Sequence, residues 1–213
     1  MNTDCQEPVI NVIDCDRGVI SIEGPVAADY LLSLNFDDGL CNFRAPGKQK
    51  QCLCELACSP DGFLYIAKHR DTVVGYVTFH SPDPYTRWHK HPLALELGAI
   101  EVSPRWRNYK VGGLLLQSAF NNPLMKERIV LTMEYCWHWD LENNKMSLWQ
   151  YQLMLTRLFG SVGLRKVDTD DPEILEHPAN VLMVRIGENV PSEYVELFEK
   201  MRYMGTPPWN PRV

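Results

Sequence analysis

Three cations and two glycines crowd into RWRNYKVGG, where Arg105, Arg107 and Lys110 run up to Gly112 and Gly113. Basic side chains beside small residues are suited to holding an anion. Beyond the glycines, Val111, Leu114, Leu115 and Ala119 recur at helical spacing, so the pair opens a helix. The first turn of a helix has amide N–H groups without intrahelical acceptors, at the positive end of its dipole. Glycine there lets a phosphate come close to the backbone. Between Arg87 and Lys110, five Lys/Arg (Arg87, Lys90, Arg105, Arg107, Lys110) face two acids, Glu96 and Glu101, a local positive excess in a chain of net charge −6. An ordinary solvated basic loop is the alternative reading, and the helix-opening glycines favour the cradle.

The remaining candidates are weaker. Cys52, Cys54 and Cys58 stand in KQKQCLCELAC at a C-x-C-x3-C spacing that lacks the paired C-x2-C of zinc knuckles. In a helix they read as small buried hydrophobes. His89, His91 and His138 are isolated in loops, so no metal site is expected. Seven cysteines, an odd number, in a chain whose N-terminus MNTDCQEPVINVIDCD shows no basic and apolar leader, fit reduced cytosolic thiols and a cytoplasmic location. The acidic balance argues against nucleic acid, and no run of 18 apolar residues offers a membrane span.

The cradle needs elements to place it. Leu95, Leu97, Ile100 and Val102 form an apolar run of strand length, stopped by Ser103-Pro104. Upstream, residues 9–22 read as a hairpin about Asp16-Arg17-Gly18, and helices are expected at 27–34 and 47–58. A second hairpin joins Phe63–Lys68 to Val73–Phe79 through His69-Arg70-Asp71. SPDPYTRWHKHP reads as a loop. Downstream come the helix 111–120, a strand 129–133, and a helix 148–159 with Trp149, Leu153, Leu155 and Leu158 on its apolar side. Strands 164–167 and 181–186 follow, then a helix 192–201 after Pro191 and a proline-rich tail. At 213 residues this suggests one sizeable domain, 23–190, with a hairpin extension 1–22 and a C-terminal helix and tail 191–213.

The cradle resembles the acyl-CoA pyrophosphate loop of the GCN5-related N-acetyltransferases (GNAT), Arg/Gln-x-x-Gly-x-Gly/Ala. Arg107 takes its first position, Val111 the x between the glycines and Gly112 the last glycine, while Lys110 stands where the first glycine is usual. EGPV (23–26), VGYVTF (74–79), ELGAIEVSP (96–104), EYCWHWDL (134–141), DDPEILEHPAN (170–180) and LMVRIGENV (182–190) resemble, more narrowly, the bacterial acetoin utilization protein A family. The resemblance implies an α/β (α+β) fold: a mixed, mostly antiparallel central sheet flanked by helices, with the acyl-CoA cleft between the family's fourth and fifth strands. It implies a protein lysine acetyltransferase that uses acetyl-CoA and has AMP-forming acetyl-CoA synthetase as its target.

It also implies roles. The amides from Asn108 and Tyr109 through Lys110, Val111, Gly112 and Gly113, with Arg107, would hold the pyrophosphate, and the backbone of Ile100, Glu101 and Val102 would pair with the pantetheine arm. Glu96, 11 residues before Arg107, resembles the strand-borne glutamate that protein acetyltransferases use as base. Glu134, at the end of the next strand, ranks second and Glu101 third. Tyr135, His138 and Asp140 beside Glu134 read equally as an acceptor site or a packed aromatic corner. Many superfamily members place a general-acid tyrosine four residues before a Gly-Phe. Here the dipeptide is Gly163-Leu164 and Phe159 stands at that place, so a general acid is missing or supplied by Tyr135 or Tyr151. Small-molecule amine acetylation and non-catalytic acyl-CoA binding remain as alternative functions.

Overall fold

The computed structural model describes residues 9–205, so the proline-rich segment from Thr206 onward lies outside the described residues. The chain forms two compact units. One runs through His80 and adds Leu97–Asn122; the other comprises Ser81–Glu96 and the chain from Pro123.

In the first unit, β1 (Val9–Cys15) and β2 (Gly18–Glu23) form the expected hairpin, closed by Asp16-Arg17. They are followed by α1 (Ala28–Ser33), a short β3 (Asn35–Phe36) and α2 (Pro46–Cys58), whose Pro46 sits in the first turn, where its missing N–H costs nothing. The hairpin β4 (Phe63–His69) and β5 (Thr72–His80) turns at Arg70-Asp71, with Arg70 at φ 55°. The next strand, β6 (Ala94–Val102), leads to α3 (Val111–Phe120). Strand order is β1-β2-β4-β5-β6, with β3 parallel to β5. Leu31, Leu53, Leu64, Ile66, Val73 and Tyr76 pack into one core cluster. Leu115, Leu116 and Ala119 of α3 are fully buried, and Phe120 meets Phe79 edge-on with centroids 5.9 Å apart.

In the second unit, Ala94–Glu96 of β6 pair in parallel with Ile129–Leu131 of β7 (Ile129–Glu134). Its further elements are α4 (Leu141–Asn144), α5 (Leu148–Gly160), β8 (Arg165–Val167), α6 (Pro172–Leu175), β9 (Val181–Ile186) and α7 (Ser192–Met201). β9 is antiparallel to both β7 and β8. Helix α5 starts with a capping box in which Ser147 and Gln150 satisfy each other's backbone N–H groups.

Three expectations need correction. SPDPYTRWHKHP is not mere loop: Arg87–Lys90 form a 3₁₀ turn, and Trp88 is wholly buried against Phe198 at 5.4 Å between centroids. Its Nε1 donates to Asp171 Oδ2 at 3.1 Å, so burying the indole strands no polar group. On α5, Trp149 and Leu153 are exposed, and the buried face is Leu155 and Phe159. Of the three clustered cysteines only Cys54 is buried; Cys52 is half-buried and Cys58 exposed.

Candidate functional site

The cradle lies wholly in the first unit, and a buried carboxylate shapes the turn that builds it. Asp37 accepts hydrogen bonds from Ser103 Oγ (2.8 Å), the Gly39 amide (2.9 Å), Arg105 Nη2 (3.2 Å) and Trp106 Nε1 (3.4 Å). Burial alone would raise the Asp37 carboxyl, but these donors and the Arg105 charge hold it below the usual carboxylate range. One expected phosphate ligand, Arg107, and a second cation of the basic stretch, Arg105, are engaged within this turn. Arg105 serves Asp37, and Arg107 turns back to donate from Nε to the Val102 carbonyl at 3.0 Å. The Arg107 amide is not open either, since it reaches Pro104 O at 3.4 Å. Arg87 is bound to Asp170 and Asp171 within the second unit.

Beyond this turn, Asn108 (φ 70°) and Lys110 (φ 61°, ψ 15°) both adopt the left-handed conformation. That conformation costs an L-residue roughly 1–2 kcal/mol and costs glycine little. Lys110 therefore sits at a position whose backbone suits glycine. It is also the N-cap of α3, which has no side-chain cap and no acidic residue in its first turn. The first ladder bond runs from Leu114 N to Lys110 O at 3.1 Å, so the amides of Val111, Gly112 and Gly113 precede the ladder. A Cβ on Gly113 would meet nothing within 4 Å. An uncapped helix start with open space beside its glycine can accept an anion.

Glu101 does not fit the role of base. Only 4% exposed, its carboxylate accepts from Tyr76 Oη at 2.6 Å and the Asn42 amide at 2.8 Å. Burial and then the Glu101 charge push the Tyr76 phenol above its normal range. Ile100 and Val102, on either side, are half-buried.

The second unit contains the other two glutamates. Glu96 ends the β6–β7 register opposite Leu131. Glu134 closes β7 and accepts from Thr132 Oγ1 at 2.9 Å. Burial pushes the Glu134 carboxyl up to about 7, with Thr132 and the Trp139 indole offsetting part of that. A carboxylate that titrates near neutrality is suited to take a proton. Next to it, Tyr135 stacks on Trp137 (4.8 Å) and donates to Glu173 Oε2 at 2.6 Å. Burial, then Glu173, with Asp171 and Glu96 adding to them, drive its phenol above the usual range, which makes it a poor acid. Asn180 fixes this corner, accepting from the Cys136 amide (2.9 Å) and donating to Glu173 O (3.0 Å). Trp137 is half exposed, while Tyr151 stacks on Trp139 at 5.4 Å. Phe159 is fully buried core. Among the described residues no group of three or more His, Cys, Asp or Glu could hold a metal, and no helix is long and apolar enough to cross a membrane.

Asp37 and Asn180 were not singled out from the sequence. Asp37-Asp38-Gly39 carried a turn signal, but nothing in it named Ser103 or Trp106 as partners.

Comparison with known proteins supplies the family. The acetyltransferase (GNAT) family model matches residues 30–134. The chain is 42% identical over 193 residues to acetoin utilization protein AcuA of Bacillus licheniformis, covering 90% of this chain and 92% of that protein. It is 42% identical over 188 residues to AcuA of Bacillus subtilis strain 168, covering 87% and 90%. The crystal structure of an acetoin utilization protein from Exiguobacterium sibiricum 255-15 superposes with a TM-score of 0.87 at 41% identity, over 91% of this chain and 92% of that one. The GNAT domain of S. lividans PAT, at 14% identity and TM-score 0.52 over 84% and 96%, shares the fold. The fold class is the expected one: mixed α/β, with a mostly antiparallel central sheet flanked by helices.

Proposed function

Because the chain belongs to the family of acetoin utilization protein AcuA, within the GNAT acetyltransferases that take their acetyl group from acetyl-CoA, we propose that it acetylates a protein lysine. The acceptor proposed is AMP-forming acetyl-CoA synthetase, switched off by the modification in acetate and acetoin metabolism. The observation that carries this reading is the open, uncapped start of α3 at Gly112-Gly113.

In this reading the amides from Tyr109 to Gly113 bind the pyrophosphate, with the Lys110 ammonium adding charge. The pantetheine arm pairs with the backbone of Ile100–Val102. The acceptor lysine arrives as an ammonium, and neutralising it at pH 7 costs about 4 to 5 kcal/mol. Glu134, titrating at about 7, takes that proton. Glu96, whose charge acts on Tyr135, helps draw the cation to the exposed Trp137–Tyr135 face. The neutral amine then attacks the thioester carbonyl.

The test is mass spectrometry of lysates incubated with labelled acetyl-CoA and this protein, followed by purified synthetase as sole acceptor. Label on one or a few lysines of the synthetase, with loss of its activity, is expected. Label found only on small amines would overturn the protein-acceptor reading.

A further inference from the structure

Acetyl transfer releases a thiolate, and the tyrosine that usually protonates it is missing here. Phe159, at the place of the usual tyrosine, has no hydroxyl and is wholly buried. Tyr135 is engaged with Glu173, and Tyr151 lies against Trp139. A different group lies against the strand proposed to pair with the cofactor. The imidazole of His80, the last residue of β5, occupies the space where residue 98 of β6 would carry a side chain. A Cβ there would stand 2.1 Å from His80 Nε2, 2.8 Å from Cδ2 and 3.2 Å from Cε1. No L-residue with a side chain fits that separation, so a glycine inside β6 is the condition for the ring to lie where it does. Gly98 is exposed and His80 half-buried.

We propose that His80 is the general acid of the reaction, protonating the sulfur of coenzyme A as it leaves. The inference rests on the cofactor placement above and deepens it. The cradle follows β6 in the chain, so an arm pairing back from Val102 to Ile100 points its sulfur end toward Gly98, where the imidazole lies. Four residues of strand, about 13 Å, separate Val102 from Gly98. The cradle, the pairing residues and His80 all belong to the first unit. Imidazole is the side chain best able to hold and give a proton near neutrality. In the step, the acceptor nitrogen, already relieved of one proton, bonds to the carbonyl carbon and gives its second proton to solvent as the amide forms. The C–S bond breaks and its electron pair passes to sulfur. The imidazolium gives its Nε2 proton to that sulfur, leaving the free thiol and a neutral ring, which recovers a proton from solvent.

The experiment uses the full-length protein with acetyl-CoA, detection of released thiol, and calorimetry for acetyl-CoA affinity. His80→Ala should lower kcat by about 10²-fold while affinity stays within about twofold. His80→Gln, which keeps the bulk and has no such proton to give, should fall as far. Added imidazole should restore part of the His80→Ala rate, which a purely structural role would not produce. Gly98→Ala, whose methyl displaces the ring, should also lower kcat, yet cost nothing further when combined with His80→Ala. A wild-type rate in His80→Ala, or weakened acetyl-CoA binding with kcat intact, would overturn the proposal and leave the acetyltransferase reading standing. Wild-type protein that binds acetyl-CoA but releases no thiol with any amine would overturn the acetyltransferase reading and the proposal together.

Discussion

Glu101 and Glu134 are both withdrawn from water, one in each unit, and their surroundings treat the charge differently. Glu101 receives a phenol hydroxyl and a backbone amide, so its carboxylate is spent on holding Tyr76 and the Asn42 loop against β6. Asp37 extends the same device with four donors into the turn ahead of α3. Glu134 has the Thr132 hydroxyl and the Trp139 indole against a larger burial cost, and its carboxyl rises to about 7. A satisfied buried acid fixes geometry. An under-satisfied one stores free energy that proton transfer can use, at a cost in stability.

The strongest way to break this contrast is Glu134→Gln. It should lower kcat by roughly 10²-fold and abolish the rise in rate through pH about 7 that the wild type should show. The same variant should be more stable. The unfolded carboxyl titrates at 4.5 and the folded one at about 7, so between these values the folded state keeps a proton that the unfolded state has released. Wild-type stability therefore falls as pH rises through that window, by ~3 kcal/mol above pH 7. Denaturant titration should find Glu134→Gln ahead at pH 8 and level with wild type at pH 4. Equal stability at both would remove the stored-energy account.

Asp37→Ala should act in the opposite sense, leaving the Ser103, Gly39 and Trp106 donors short of an acceptor and lowering stability by roughly 2–3 kcal/mol. A loss well under 1 kcal/mol in denaturant melts would mean that the turn is held by packing alone. Gly112→Asp sets a carboxylate against the proposed pyrophosphate and should weaken acetyl-CoA binding at least tenfold, about 1.4 kcal/mol; calorimetry with unchanged affinity in folded protein would refute the cradle. The smallest effect is expected of Lys110→Gly. Relief of the left-handed backbone should add less than about 1 kcal/mol to stability, since glycine costs more chain entropy on folding. Affinity should nonetheless drop, with a flatter salt dependence, because an ammonium is lost. Tighter binding by the variant would make Lys110 an impediment.

Elements written in local periodicity and turn chemistry were readable from the sequence. The helix 111–120 has the expected bounds, both hairpins turn where their Asp and Arg residues indicated, and the last helix follows Pro191. Pairings across long sequence distances were not readable. Nothing near Arg87 announced Asp170, and nothing near Ser103 announced Asp37, so basic residues counted toward an anion site proved to be committed elsewhere. Trp149 and Leu153 looked like a buried stripe because apolar spacing marks a face without saying whether anything covers it. Gly98 held a legible hint, since glycine within an apolar strand signals a close neighbour, but the identity of that neighbour required the fold.

The vacancy beside Gly113 bears on how variation at this position would be noticed. An added methyl there meets nothing within 4 Å beyond its own turn of helix, so Gly113→Ala should express and fold as the parent does and melt no lower. Its cost would surface only when acetyl-CoA competes for the same space. A screen that ranks variants by abundance would pass it as harmless, while one that ranks them by growth on a metabolic output would discard it.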